Sequence, residues 1–469
     1  TSSPDVTTYG AENYTCIQNN DKYTVKALKE VAVAKIGDIL YPTLAKAIEA
    51  VPNDGESATT VTLIKDSTED VTIPANKKVA LELNGKKLTN VSSNTITNNG
   101  TLTITGEGTV DNVTHAKAAV WNNVGGTVTI NDGTYTRSAE KSTDENNSGG
   151  NSYYVIDNYG TLTINKGTFK FSDTNAGAFS SLIHNGWYDG SKNTSGKNAV
   201  MTINDGNFTQ GTGGKITVKN DDYGELNLNG GVFTQPQSNF YCVYNYNIAK
   251  ISGGTINGYV GNEYANATCD KGLLEISNKA VINGGIQSRT KASQTSSNDQ
   301  NLIKITDNAK VAGAITSADA KYVTVSGGYF TSDPTAYLAN GKGLVDSDLA
   351  GYYKVGDSTV DVDTEVKAGE PSVDVPANSG LTKADVENAA KSQATQNSLA
   401  KAASSLTSDS SIVGNKDAAK NALLTNNIIS QDSTENITVV VQPYLNVDVT
   451  EVNTTDKTMS VNISAQYNI

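Results

Sequence analysis

The chain has 469 residues, a formal charge of −13 and a pI of about 4.7. That balance argues against a nucleic-acid partner, and only two of its 36 basic residues are arginines, Arg137 and Arg289, so Arg forks for phosphate or carboxylate are nearly absent. Apolar residues make up 37%, too many for a disordered chain, and no apolar run reaches the roughly 18 residues that a membrane-spanning helix requires.

The opening "TSSPDV" has no leader character and the closing "SVNISAQYNI" is strand-like without a cap. Both ends read as cuts inside a longer protein, with a secretion signal or wall anchor expected outside the chain. Residues 1–29 read as the tail of a preceding module or a linker. "YPTLAKAIEAVP" (41–52) predicts a short amphipathic helix with Leu44, Ala47 and Ile48 on one face. It would plug one end of a repeat body, whose open strand edges otherwise invite aggregation. "TVTLIKDSTEDVTIP" then reads as the first coil.

The repeat is carried by anchors, the last aliphatic of each strand like "LTI": Leu83, Ile104, Ile130, Ile164, Ile203, Leu228, Ile251, Ile276, Ile305 and Val325. Their spacings are 21, 26, 34, 39, 25, 23, 25, 29 and 20, so the minimal coil is 20 to 25 residues and longer intervals hold loops. Five residues after the anchor comes a large apolar residue: Leu88, Tyr135, Phe169, Phe208, Phe233, Ile256, Val281 or Phe330. Val110 comes six after its anchor, which predicts a bulge or a shifted corner in that coil. Before the anchor stands aliphatic-x-Asn, at Asn98, Asn122, Asn158, Asn185, Asn220 and Asn245, with Ser288 and Ser317 in the last two coils. Stacked coils would join these amides into a ladder, and Gly three residues after the anchor suits a tight corner.

Three short alternating strands per coil predict an all-β fold: a right-handed parallel β-helix of about ten coils over residues 30–356. "GGYFTSDPTAYLANGKGL" followed by "GYYKV" reads as its terminal hairpin. Residues 357–469 read as a separate α+β module. It has a helix in "LTKADVENAAKSQATQNSLAKAASSL" and a β-hairpin joined by "NTTDK".

The stretch "AKIGDILYPTLAKAIEAVPNDGESATTVTLIKDSTEDVTIPANKKVALELNGKKL", with the later "GTLTI" and "SGGYFTSDPTAYLANG", resembles the right-handed, pectate-lyase-like β-helix modules of large secreted surface proteins of Firmicutes and related gut bacteria. The resemblance implies an adhesin-like module, extracellular and secreted or wall-attached, with no catalytic residues to carry over.

Pectate lyases, polygalacturonases and phage tailspikes share the β-helix, so an enzyme reading has its own candidates. Arg137 and Arg289 both fall in stretches that read as loop insertions, which favours solvated charge over a catalytic base. The best carboxylates for a glycosidase are Asp221, Asp222 and Glu225 in "VKNDDYGEL". The first two, as neighbours on a strand, would point to opposite faces. A second constellation is the column preceding the ladder: Thr97, Trp121, Asp157, His184, Lys219 and Tyr244. It is expected to face outward and, with Trp187 and Tyr188, to offer rings and polar groups to a glycan. "NDG" at 131–133 and 204–206 lacks calcium-loop spacing and reads as turn chemistry. Cys242 and Cys269 fall close enough on adjacent coils for a disulfide or for two packed thiols. His115 and His184, the only histidines, lack the nucleophile of a hydrolase triad.

No cofactor and no metal is expected. The first expectation is a non-enzymatic surface stalk whose partners are host or dietary glycans or host surface proteins. The alternative is a polysaccharide lyase or hydrolase, and a third reading is a trimeric tailspike-like depolymerase.

Overall fold

The structure is a computed structural model that describes residues 14–19, 22–114, 116–138, 154–171, 181–211, 214–263, 272–289, 301–357, 362–366, 437–453 and 458–468. The chain forms two compact units, one of Thr1–Tyr337 with Ser347–Lys354 and one of Leu338–Asp346 with Val355–Ile469.

The first unit is a parallel β-helix. Each coil contributes one strand to each of three sheets, and successive coils pair in parallel. One sheet stacks ten strands from Val71–Ile73 to Ile315–Ser317 and carries the Asn ladder. The second runs from Thr59–Leu63 to Val323–Val325 and carries the anchors. The third runs from Ser67–Thr68 to Gly328–Phe330. Alternation along each strand sends one set of side chains inward: Leu102 and Ile104, for instance, are fully buried while Thr101, Thr103 and Thr105 are not.

The register corrects one anchor and one of the large apolar residues that follow the anchors. Ile104 lies opposite Leu81, not Leu83, and Leu81 lies opposite Val61, so the anchor column starts one coil earlier. Both leucines are fully buried, which makes them indistinguishable by pattern. In the third sheet the inward residue after Ile276 is Ile282 rather than Val281, since Ile282 pairs with Ile256 and Val311. Val110 lies in register between Leu88 and Tyr135. Its extra residue is taken up at the corner, where Gly106 and Gly108 have φ of 78° and 149°, and the strand itself carries no bulge. Arg137 and Arg289, expected in loops, are the last residues of strands Thr134–Arg137 and Ile286–Arg289. Arg137 is fully buried and Arg289 exposed.

Like residues pile up along the axis. Tyr135, Phe169, Phe208 and Phe233 form a continuous stack, with centroids 5.0, 4.6 and 4.5 Å apart and planes within 11° of parallel. The ladder amides bond in series from Asn98 through Asn122, Asn158, Asn185, Asn220 and Asn245 at 2.7 to 2.8 Å. The series continues to Asn262, again at 2.7 Å. Each amide also donates to backbone carbonyls at the turn, as Asn158 does to Gly160 at 3.1 Å.

The turn after the ladder packs so closely that a Cβ on Gly160 would lie 2.2 Å from the Gly126 carbonyl oxygen of the preceding coil. The Gly126 and Asn123 carbonyls are backbone and cannot yield cheaply, so Gly160→Ala should cost about 1–3 kcal/mol in urea unfolding.

The helix Leu44–Ala50 buries Leu44, Ala47 and Ile48, as its pattern predicted. Its termini are held from a distance. Glu69 accepts from Leu44 N at 2.8 Å and Ala45 N at 3.0 Å, and the Thr43 hydroxyl accepts from Lys46 N. At the other end the buried Lys77 amine donates to the carbonyls of Glu49 and Val51. A carboxylate at the N-terminus and an ammonium at the C-terminus both oppose the helix dipole's end charges.

In the second unit, Val362–Val366 pairs in parallel with Ile437–Asn453, which forms an antiparallel hairpin with Thr458–Asn468. The strands Lys342–Val345 and Tyr353–Asp357 occupy the stretch read as a terminal hairpin. The helix expected in 381–406, Cys269 and His115 lie outside the described residues.

Candidate functional site

The column read from sequence is a true register column: Thr97, Trp121, Asp157, His184, Lys219 and Tyr244 are paired one after another across strands of the ladder sheet. Because Asn and the aliphatic two residues before it point inward, the residue between them points out. The expected exposure does not follow. Asp157, His184, Lys219 and Tyr244 are at most 4% exposed, and only Trp121 and Thr97 are half-buried. Tyr154 and Tyr159 lie against His184, and Tyr188 and Tyr246 lie near Lys219, on the sheet's outer face.

Beneath that cover lies a closed ionic chain. His184 Nδ1 meets Asp157 Oδ1 at 2.6 Å and His184 Nε2 meets Asp221 Oδ2 at 3.0 Å. Lys219 Nζ lies 2.6 Å from the same Asp221 oxygen, and Tyr159 OH donates to Asp157 Oδ2 at 3.3 Å. An ionised carboxylate only accepts, so both ring nitrogens of His184 donate and the ring is an imidazolium. Two cations and two anions then balance. Burial alone would lower the His184 pKa, but the charge of Asp157 and the hydrogen bonds to Asp157 and Asp221 reverse this and hold it above its ordinary 6.5. Burial likewise pushes the Asp221 carboxyl up, and the charge of Lys219 and the His184 hydrogen bond carry it below its ordinary 3.8.

These two directions set a pH window. His184, raised in the folded state, contributes stability that is complete below about pH 6.5 and is lost as pH climbs through its folded value. Asp221, lowered, contributes above about pH 3.8 and loses its contribution as pH falls. The urea midpoint should therefore decline from about pH 6.5 upward, and His184→Gln should flatten that alkaline limb.

The cover is aromatic. Tyr154 stacks on the His184 ring at 4.3 Å and 9°, and Tyr159 meets that ring edge-on. Trp121 lies 5.1 Å from Tyr159, Tyr159 5.4 Å from Trp187, and Trp187 6.2 Å from Tyr223. The Lys219 amine sits 5.2 Å from the Tyr188 ring and 5.5 Å from the Tyr246 ring. Tyr246 continues to Tyr244 at 4.6 Å and Tyr244 to Tyr241 at 4.2 Å. Tyr241 donates to Gln287 at 2.6 Å, Tyr244 donates to Glu263, and Arg289 Nη1 donates to the Tyr244 hydroxyl at 3.3 Å. Burial first, and neighbouring carboxylates second, push the Tyr154 and Tyr159 phenols far up, so both keep their protons.

The three candidate carboxylates do not converge. Asp221 and Asp222 follow the strand Val218–Asn220 in a turn rather than lying on it. Asp221 belongs to the ionic chain, while Asp222 accepts from Gly190 N at 3.0 Å and its backbone bridges Trp187. Glu225 lies on the neighbouring sheet, in Gly224–Leu228, and accepts from Asn198. Trp187 is buried at 7% exposure, whereas Tyr188 is 62% exposed. Cys242 is buried, and burial pushes its thiol up to about 12.

Sequence reasoning missed Tyr154, Tyr159, Tyr223, Tyr241 and Tyr246. Their signal was present: Tyr159 and Tyr246 follow ladder asparagines directly. Among the described residues no group of three or more His, Cys, Asp or Glu is placed to hold a metal ion. None of the described helices is long and apolar enough to cross a membrane. No protein-family model, no curated protein and no solved structure matches the chain.

Proposed function

We propose that the protein is a non-enzymatic, adhesin-like stalk module of an extracellular bacterial surface protein, and that it holds glycans against the outer face of its ladder sheet. One observation carries this reading: the column's charged groups are buried and mutually neutralised, while five of the rings around them keep part of their surface exposed. Asp157 and Asp221 are engaged by His184, Lys219 and Tyr159, which removes them from acid–base work on a sugar bond. Trp121, Tyr159, Tyr223 and Tyr246 are half-buried and Tyr188 is exposed, leaving π-faces for the apolar side of pyranose rings. The serial Asn ladder and ring stack support the stalk role, since each coil is fastened to the next by its side chains as well as its backbone.

The test pairs a glycan array with turnover assays on pectin, mucin and arabinoxylan. Retention on the array without release of reducing ends or unsaturated products is expected, and Tyr188→Ala should weaken retention without altering the fold. Product release would favour the lyase or hydrolase alternative. A blank array would leave a stalk without the glycan.

A further inference from the structure

The rings are not scattered. Trp121, Tyr159, Tyr188, the pair Tyr241 and Tyr246, and Tyr259 belong to five of six successive coils, from the strand Val120–Asn122 to the strand Tyr259–Glu263, and the coil between Tyr188 and Tyr241 contributes Lys219. Tyr241 pairs directly with Tyr259 across that last step. The ring-to-ring and amine-to-ring contacts above join the upper cluster to the lower one through Lys219. The band therefore runs along the coil axis. At roughly 4.8 Å per coil it spans about 24 Å. Below it the outer face is stripped of bulk: a Cβ on Gly261 would lie 2.5 Å from Tyr244 Cδ2, and one on Gly285 would lie 2.8 Å from Tyr259 Cε1. Gly261 in the column and Gly285 beside it leave room for the tyrosine rings against the sheet.

Charge narrows the ligand. Lys219 and His184 are neutralised by Asp221 and Asp157, and Arg289, at the lower end, reaches Glu263 through the Tyr244 hydroxyl. The whole chain carries −13. A polyanion would meet a repelling field and, among the described residues, no surplus cation on the band.

Resting on the glycan-holding reading, we propose that the band selects a neutral, extended polysaccharide with flat apolar faces, lying along the coil axis at about one sugar ring per coil. Rings set about a coil apart, with Lys219 in the one coil between them, match consecutive pyranoses in an equatorially linked chain, and a single sugar would engage only one of them. Affinity then grows with chain length until the band is covered, at about six sugars by the coil spacing.

The experiment titrates the full 469-residue chain with cello-, xylo- and manno-oligosaccharides of two to eight units, and with polygalacturonate, at low and high salt. The expected result is affinity rising stepwise to about six units, insensitive to salt, with polygalacturonate weaker. Trp121→Ala and Tyr259→Ala, at opposite ends of the band, should each weaken the hexasaccharide roughly three- to tenfold and leave the disaccharide unchanged. Affinity that stops rising at two units, or tighter binding of polygalacturonate, overturns the inference while leaving glycan binding intact. No binding of any sugar overturns both. The length series needs no variant, so a misfolded mutant does not rescue the idea.

Discussion

Asn185→Leu should lower the unfolding free energy by roughly 3–5 kcal/mol, although leucine fills the same space. The amide at this position is completely buried. It donates to Asn220 Oδ1 at 2.8 Å and to the carbonyls of Ala199 and Glu225, and it accepts from Asn158 at 2.7 Å. Leucine removes all of these and keeps the partners out of reach of water. Orphaned buried groups cost about 1–3 kcal/mol each, and some here retain a second partner, which limits the sum. Asn204 provides the control. It also sits in an Asn series, bonding Asn165 at 2.8 Å and receiving Asn229 at 2.9 Å, but on the exposed outside of the coil. Water replaces those bonds, so Asn204→Leu should change stability by no more than about 0.5 kcal/mol. Urea unfolding of the two variants measures the difference. Equal losses would mean that the buried ladder is decoration.

That contrast shows what could be read from the sequence and what could not. The ladder was legible because aliphatic-x-Asn recurs in a fixed place before each anchor, and a period-2 strand turns spacing into direction. Asn262 escaped because its coil is short: it lies only 17 residues after Asn245, below the shortest interval between anchors. Leu83 was preferred to Leu81, and Val281 to Ile282, because a short apolar pair does not reveal which member faces in. Register decides that, and register comes from the neighbouring coil. The helix Leu44–Ala50 was visible in its own residues, yet its ties to Glu69 and Lys77 are not, since they come from 25 and 26 or more positions away. The column Trp121 to Tyr244 was placed correctly on the outer face, but its burial depends on rings that no local pattern assigns to it. A charged residue pointing away from a core is exposed only if nothing folds over it.

The ionic chain gives the second large effect. Asp221→Asn should destabilise the protein by about 3–5 kcal/mol near neutral pH, because it leaves the buried Lys219 ammonium and the His184 ring facing an uncharged amide. The penalty belongs to the stranded cations rather than to the lost bridge. Adding Lys219→Met should therefore restore much of the loss, since methionine keeps the volume and removes the charge that needs a partner. If the double variant is as unstable as the single one, the carboxylate itself holds the turn, and the charge argument is wrong. The same pair separates stability from recognition. Lys219 also joins Tyr188 to Tyr246 by lying near both rings. The double variant should fold yet bind a hexasaccharide more weakly, because the two halves of the band lose the cation between them. Recovery of both properties together would mean that the rings are positioned by packing alone.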